Sequence, residues 1–133
     1  MPRSYVALDI ETTGLDPHRD AIIEVAAVRF TDAGVQGQFT SLVNPERTVP
    51  AKIVHLTGID PRELASAPPA HEAVRRLARF VGADPVVGHS IGFDTAFLAR
   101  YGALTNNRLI DTFELSTILL PHMARHSLQH LAE

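Results

Sequence analysis

Asp9 and Glu11 stand one residue apart near the end of an apolar run, Val6-Ala7-Leu8-Asp9-Ile10-Glu11, and that spacing can do metal chemistry. Side chains alternate across a strand, so Tyr5, Ala7, Asp9 and Glu11 share one face while Val6, Leu8 and Ile10 share the other. At a strand rise of roughly 3.3 Å per residue, the two acids lie roughly 6 to 7 Å apart at Cα, near enough for both carboxylates to hold a pair of cations. Like charges on one buried face repel and lose hydration unless something cationic joins them. The plainer alternative leaves both acids in water at a strand end. A third acid, Asp94, opens a helix predicted from Ile91, where the helix dipole favours a carboxylate; the alternative is that this is its whole role. Ligand sites in open α/β sheets lie beyond the carboxyl ends of the parallel strands, which is where Asp94 would meet Asp9 and Glu11.

The elements that must position these acids can be read in order. After the first strand, Asp16-Pro17-His18-Arg19-Asp20 is turn chemistry, and Asp16 and Asp20 read as turn formers rather than ligands. Ala21 to Phe30 alternates as a second strand, with Ile23, Val25 and Ala27 on one face; Glu24, on the other, could face the site, but a lone strand Glu is more often a partly solvated edge, and it is not assigned to the site. Asp32-Ala33-Gly34 is a hairpin turn into a third strand over about Gln38 to Val43, so the first three strands form an antiparallel meander. A loop at Asn44–Pro50 precedes a short helix ending at His55-Leu56-Thr57-Gly58, with Gly58 the terminator. Periodicity alone makes His55 and Thr57 cap and surface residues.

Ala70, Ala73, Val74, Leu77 and Val81 then follow helical spacing over about Pro69 to Val81, with Arg75, Arg76 and Arg79 on a solvated face. Asp84 to His89 is a short strand reached through that helix, a right-handed βαβ crossover that pairs it parallel to the first strand. In the helix from Ile91, Phe93, Ala96, Phe97 and Tyr101 are spaced for burial, with Gly102 as the stop. Arg108-Leu109-Ile110 is a last strand, and Asp111 with Glu114 forms a capping box for a following helix. His122, His126 and His130 recur every four residues, but Pro121 and Ser127 mark helix boundaries within the run and no acid joins them, so no zinc site is assigned.

Composition bounds the function. The 133 residues, 45% hydrophobic, fit one domain spanning 1–133. A formal charge of −3 is no footprint for gripping long nucleic acid unaided, so any phosphate-handling site must bring its own positive charge. The absence of cysteine excludes disulfides and thiolate metal sites. Met1-Pro2-Arg3 runs straight into a strand pattern with no signal-type run, and no stretch approaches a membrane span, so the expected location is cytoplasmic.

Asp9-Ile10-Glu11-Thr12-Thr13-Gly14-Leu15, followed by His55-Leu56-Thr57-Gly58-Ile59 and by Gly88-His89-Ser90-Ile91-Gly92-Phe93-Asp94, resembles the DEDD superfamily of 3′-to-5′ exonucleases. Within it, the chain resembles the histidine branch that includes the epsilon proofreading subunit of bacterial DNA polymerase III and ribonuclease T. The resemblance implies an α/β, ribonuclease H-like fold: a five-stranded mixed sheet ordered 3-2-1-4-5, flanked by helices. It implies two divalent ions, Mg or Mn, held by Asp9, Glu11 and Asp94, and release of nucleoside monophosphates from a 3′ end of single-stranded DNA or RNA. Backbone groups around Thr12, Thr13 and Gly14 would contact the terminal nucleotide, Leu15 would wedge beside its base, Phe93 would offer a ring, and His55 and Thr57 would be further substrate contacts. Stacking of this sort tolerates any base. A polymerase or helicase, in the same or another chain, is the implied partner, and Thr112 to Pro121 resembles helicase-fused members.

Two departures stand against the family pattern. Ser90 follows the histidine of the second motif where the family often has Asn, which changes a local hydrogen bond. The family's third motif, a general-base histidine with a fourth metal-binding aspartate, has no counterpart: Ser127 to Glu133 resembles the segment before it, and neither His126 nor His130 has an aspartate five positions on. General-base catalysis contributes typically 10²- to 10⁴-fold, so the sequence is expected to be a C-terminally truncated domain, lacking its final helix and with weak or no activity alone. A second reading, from a different class, is a non-catalytic module that keeps the nuclease fold to bind nucleotides or a protein partner. Three intact acids count against it, and the missing motif counts for it. Asp9→Ala abolishes Mn binding under the first reading only.

Overall fold

The computed structural model describes residues 3–119. Three long strands, β1 (Tyr5–Thr12), β2 (Ile22–Thr31) and β3 (Gly34–Leu42), form the antiparallel meander. Three short helices' worth of chain follows as α1 (Ala51–Thr57), α2 (Pro61–Ala65) and the longer α3 (Ala70–Val81). The chain then alternates through β4 (Val86–Gly88), α4 (Ile91–Ala99), β5 (Leu109–Asp111) and α5 (Thr112–Leu119). The sheet order is β3-β2-β1-β4-β5, with β4 parallel to β1 and β5 parallel to β4. This is the expected five-stranded mixed sheet. The histidines at 122, 126 and 130, and the segment Ser127 to Glu133, lie outside the described residues.

The alternation of β1 decides the layers. Val6, Leu8 and Ile10 are buried and join Val25 and Ala27 of β2, Ala73, Val74, Leu77 and Val81 of α3, and Phe97 and Leu98 of α4 in one core. A fully buried side chain of this class contributes roughly 1.5–3 kcal/mol by transfer from water, so a one-residue register slip that exposed this set is strongly disfavoured. Ala7, Asp9 and Glu11 point to the other face, where Asp9 is exposed and Glu11 half-buried. Arg29 pins the crossover to the meander: its Nε donates to Asp84 Oδ2 at 3.0 Å and another guanidinium nitrogen to the Phe80 carbonyl. That guanidinium, aided by the Ser4 hydroxyl, holds the Asp84 carboxyl below its usual range.

Three local expectations are corrected. β3 begins at Gly34, leaving Asp32 and Ala33 as the connecting residues, so it starts four residues before the expected Gln38; Gly34 takes φ +115°, a backbone conformation that residues with a Cβ rarely adopt. Asp60, not part of any expected element, caps the extra helix α2 by accepting from the Arg62 amide, with Pro61 at the first helical position. In α4 the buried stripe is Ile91, Asp94, Phe97 and Leu98 rather than one through Ala96 and Tyr101, both exposed. The helix ends at Ala99, before Tyr101 can rejoin its face, and the stripe turns an acid inward. Burying a carboxylate costs free energy unless it is protonated or paired, so the inward turn of this acid singles it out.

Candidate active site

β1 delivers Asp9 and Glu11 to its carboxyl end, and α4 starts immediately beyond the carboxyl end of the parallel strand β4. The chain turns between them at Ser90, which sits in the left-handed region at φ 56°, ψ 49°. Asn tolerates that conformation better than Ser, which gives the family's preference for Asn here a backbone reason. Asp111 braces the turn: one carboxylate oxygen accepts from the Ser90 amide at 2.9 Å and from the Phe113 amide at 2.8 Å, so the expected cap of α5 also fixes the entry to α4.

Asp94 is 6% exposed. Burial first, then the charge of Asp9, with smaller contributions from Glu11 and Asp111, push its carboxyl up to about 7 against an opposing hydrogen bond from the Ile10 backbone. Partial desolvation by the surrounding protein raises Asp9, although its side chain reaches solvent, against a hydrogen bond from the Ile10 backbone; burial raises Glu11 together with the charges of Asp9 and Glu24. The three predicted acids therefore sense one another across β1 and α4. Among the described residues, no three His, Asp or Glu side chains stand in a finished ion-holding group. The donors themselves are carboxylate oxygens, the set that suits Mg and Mn and not a thiolate- or imidazole-seeking metal.

Sequence reasoning left out Glu24. It is the Cα partner of Glu11 in the β1–β2 register, on the same face of the sheet. Like charges directly opposite in a sheet are destabilising, so this pair adds to the negative field of the site. The signal was available in principle, as the side-chain parity of two strands once their hairpin register is known.

Beside Glu11 opens a cavity of about 470 Å³. It gathers Thr12, Thr13, Gly14, Leu15, Thr57 and Phe93 from the predicted set, together with Lys52 and Leu56 of α1. Leu15 is 84% exposed and Leu56 74%, apolar side chains held in water on either side of the opening. Phe93 rests on Phe97 with ring centroids 5.1 Å apart. Asp9 lines instead a second cavity of about 400 Å³ with Ala7, Val28, Val87 and His89. His55 is not brought in: it is exposed on α1 and lines neither cavity.

The loop between β1 and β2 is rigid for reasons its turn residues supply. Thr13 Oγ1 donates to Asp20 Oδ1 at 3.0 Å and accepts from the Ala21 amide at 2.9 Å, while Asp20 Oδ2 accepts from the Asp16 amide at 2.9 Å. A Cβ at Gly14 would lie 2.4 Å from that Asp20 carboxylate. Arg100 from the end of α4 and Arg47 donate to the carbonyls of Asp20 and Arg19. The Thr57 hydroxyl is also engaged, donating to the Ile53 carbonyl at 2.8 Å. The threonine hydroxyls thus shape the cavity wall rather than project into it.

Comparison with known proteins converges on one family. The family model described as Exonuclease (RNase_T) matches residues 6–133. The PolC-type DNA polymerase III of Bacillus cereus is 36% identical over 98% of this chain, which spans only 9% of that protein's length. The DNA polymerase III epsilon subunit of Aquifex aeolicus is 32% identical over 98% of this chain and is covered over 67% of its own length. Among solved structures, exonuclease X in complex with 5′-overhanging duplex DNA superimposes with a TM-score of 0.80 at 24% identity, covering 96% of this chain and 70% of that one. Product-bound exonuclease I gives a TM-score of 0.80 at 18% identity, covering 98% and 38%. At these identities the structural likeness shows the fold alone.

Proposed function

The chain belongs to the RNase_T exonuclease family, and we propose from that membership that it is a 3′-to-5′ exonuclease domain releasing nucleoside monophosphates from single-stranded DNA or RNA. The observation that supports the proposal is that the charges of Asp9 and Glu11 help to raise the Asp94 carboxyl and that of Asp9 helps to raise Glu11, with Glu11 lining a cavity shared with Leu15, Leu56 and Phe93. Exonucleases of this family use divalent metal ions. Here the proposed ions are two, Mg or Mn, and Asp9, Glu11 and Asp94 would hold them.

When bound, such a pair lowers the pKa of a water and stabilises charge gathering on the phosphate and leaving oxygen. The protein's own residues do the rest. Glu11 joins the metal side of the site to the nucleotide side, because it alone of the three acids lines the larger cavity. The braced loop from Thr12 to Gly14 presents backbone to the terminal sugar, and Leu15, Leu56 and Phe93 offer apolar surface to whatever base arrives. That surface reads no hydrogen-bond pattern, which suits successive removal of any nucleotide. The PolC-type and epsilon relatives suggest that the natural setting is replication or repair in the cytoplasm, with a polymerase, or else a helicase, as partner.

The test is release of the terminal nucleotide from a 3′-labelled single-stranded oligonucleotide in Mn, with Asp9→Ala as control. The expected result is slow release of labelled mononucleotide, weak because the sequence has no counterpart of the third motif's histidine and aspartate, that is lost in the variant. No release, together with Mn binding that Asp9→Ala leaves unchanged, would overturn the proposal in favour of a non-catalytic binding module.

A further inference from the structure

Lys52 is the only lysine of the sequence, and it lines the larger cavity. Among the described residues, the charged members of that lining are Lys52 and Glu11. Lys52 is exposed and makes no ion pair or hydrogen bond among the described residues. Neighbouring arginines are committed elsewhere: Arg47 and Arg100 hold the carbonyls of Arg19 and Asp20, and Arg62 is paired with Asp60. Lys52 and Leu56, four residues apart, share one side of α1, so the ammonium stands on the same wall as an exposed apolar contact.

This arrangement answers a problem of charge. A strand entering the cavity carries one phosphate per nucleotide, into a protein of net charge −3 whose site floor is acidic. Ions at Asp9, Glu11 and Asp94 neutralise the phosphate being cut but not the next one along. A free ammonium in the same lining as Glu11 is a compact, strongly hydrated point charge suited to a single phosphate oxygen. Building on the exonuclease reading, we propose that Lys52 is a substrate-anchoring residue that takes a non-bridging oxygen of a phosphate other than the scissile one, so that the site favours a polynucleotide end over its mononucleotide product.

The experiment measures binding of decathymidylate and of thymidine monophosphate to the full chain in Ca, which allows binding to be read without rapid turnover, across a series of KCl concentrations. Lys52→Ala is expected to weaken decathymidylate binding about 3- to 10-fold at low salt and to reduce the slope of log K against log salt by about 0.7, the value for one phosphate of a single strand. Lys52→Arg should restore both, and thymidine monophosphate, whose one phosphate sits at the acids, should bind all three proteins equally. An unchanged slope in Lys52→Ala, or an equal loss for the mononucleotide, overturns the Lys52 assignment while leaving the exonuclease reading in place. If the unaltered chain binds neither probe, the exonuclease reading fails and the assignment fails with it.

Discussion

Asp94 shows how a single residue sets the terms of the site. Its folded carboxyl, near 7, lies above the ordinary value of 3.8, first because it is buried and next because Asp9 is close. Between those values the folded chain keeps a proton that the unfolded chain has released. The contribution of Asp94 to stability without metal is therefore most favourable at low pH and declines as pH rises through that window. Asp94→Asn removes the titration: thermal unfolding of the metal-free variant should match the parent near pH 4 and exceed it at pH 8 by on the order of 2 kcal/mol. Adding Mn should then raise the melting temperature of the parent and much less that of the variant. A metal-free variant less stable than the parent at pH 8 would mean that Asp94 is not a charge held against its environment. The acid itself was legible from the sequence, as the first-turn carboxylate of a predicted helix. Its burial was not, because the stripe Ile91, Asp94, Phe97, Leu98 competes with an equally periodic one through Phe93, Ala96, Phe97 and Tyr101, and only the point where α4 ends separates them.

At the level of elements, the loop between β1 and β2 is the part of the site most dependent on one steric fact. Gly14 abuts the Asp20 carboxylate, and that carboxylate cannot move freely because the Thr13 hydroxyl and the Asp16 amide both hold it. Gly14→Ala should cost roughly 1–3 kcal/mol of stability, in the range of overpacking, and should raise KM for an oligonucleotide more than it lowers kcat. A variant with unchanged melting temperature and KM would show that the loop adapts. The turn character of Asp16 and Asp20 was readable from residue type. The bracing by Arg47 and Arg100 was not, since those arginines come from a distant loop and from the end of α4. α2 escaped notice for a related reason: at five residues it is too short to show a hydrophobic period, and only its cap at Asp60 betrays it.

For the whole molecule, charge decides what metal removal should do. A chain of net charge −3, with Asp9, Glu11, Glu24 and Asp94 near one another, should repel nucleic acid unless cations intervene. Oligonucleotide affinity is expected to fall at least about tenfold in EDTA and to return with Mg or Mn, whereas a protein gripping through basic side chains would keep its affinity at low salt. Equal affinity in EDTA would place binding outside the acidic site. Among the described residues no helix is long and apolar enough to cross a membrane.

What the sequence determined by itself follows from local rules. Strand parity put Asp9 and Glu11 on one face, the crossover length made β4 parallel to β1, and the order of the motifs implied the sheet order. What only the tertiary structure decided is which distant residues share a space. Glu24 stands opposite Glu11 because of a hairpin register with an irregularity beside it. Lys52 and Leu56 of α1 line the same cavity as Thr12 to Leu15, whereas His55, one residue from Leu56, does not. Side-chain period is fixed by the backbone of one element, whereas the neighbours across a cavity depend on how several elements pack at once, and no window of sequence contains that information.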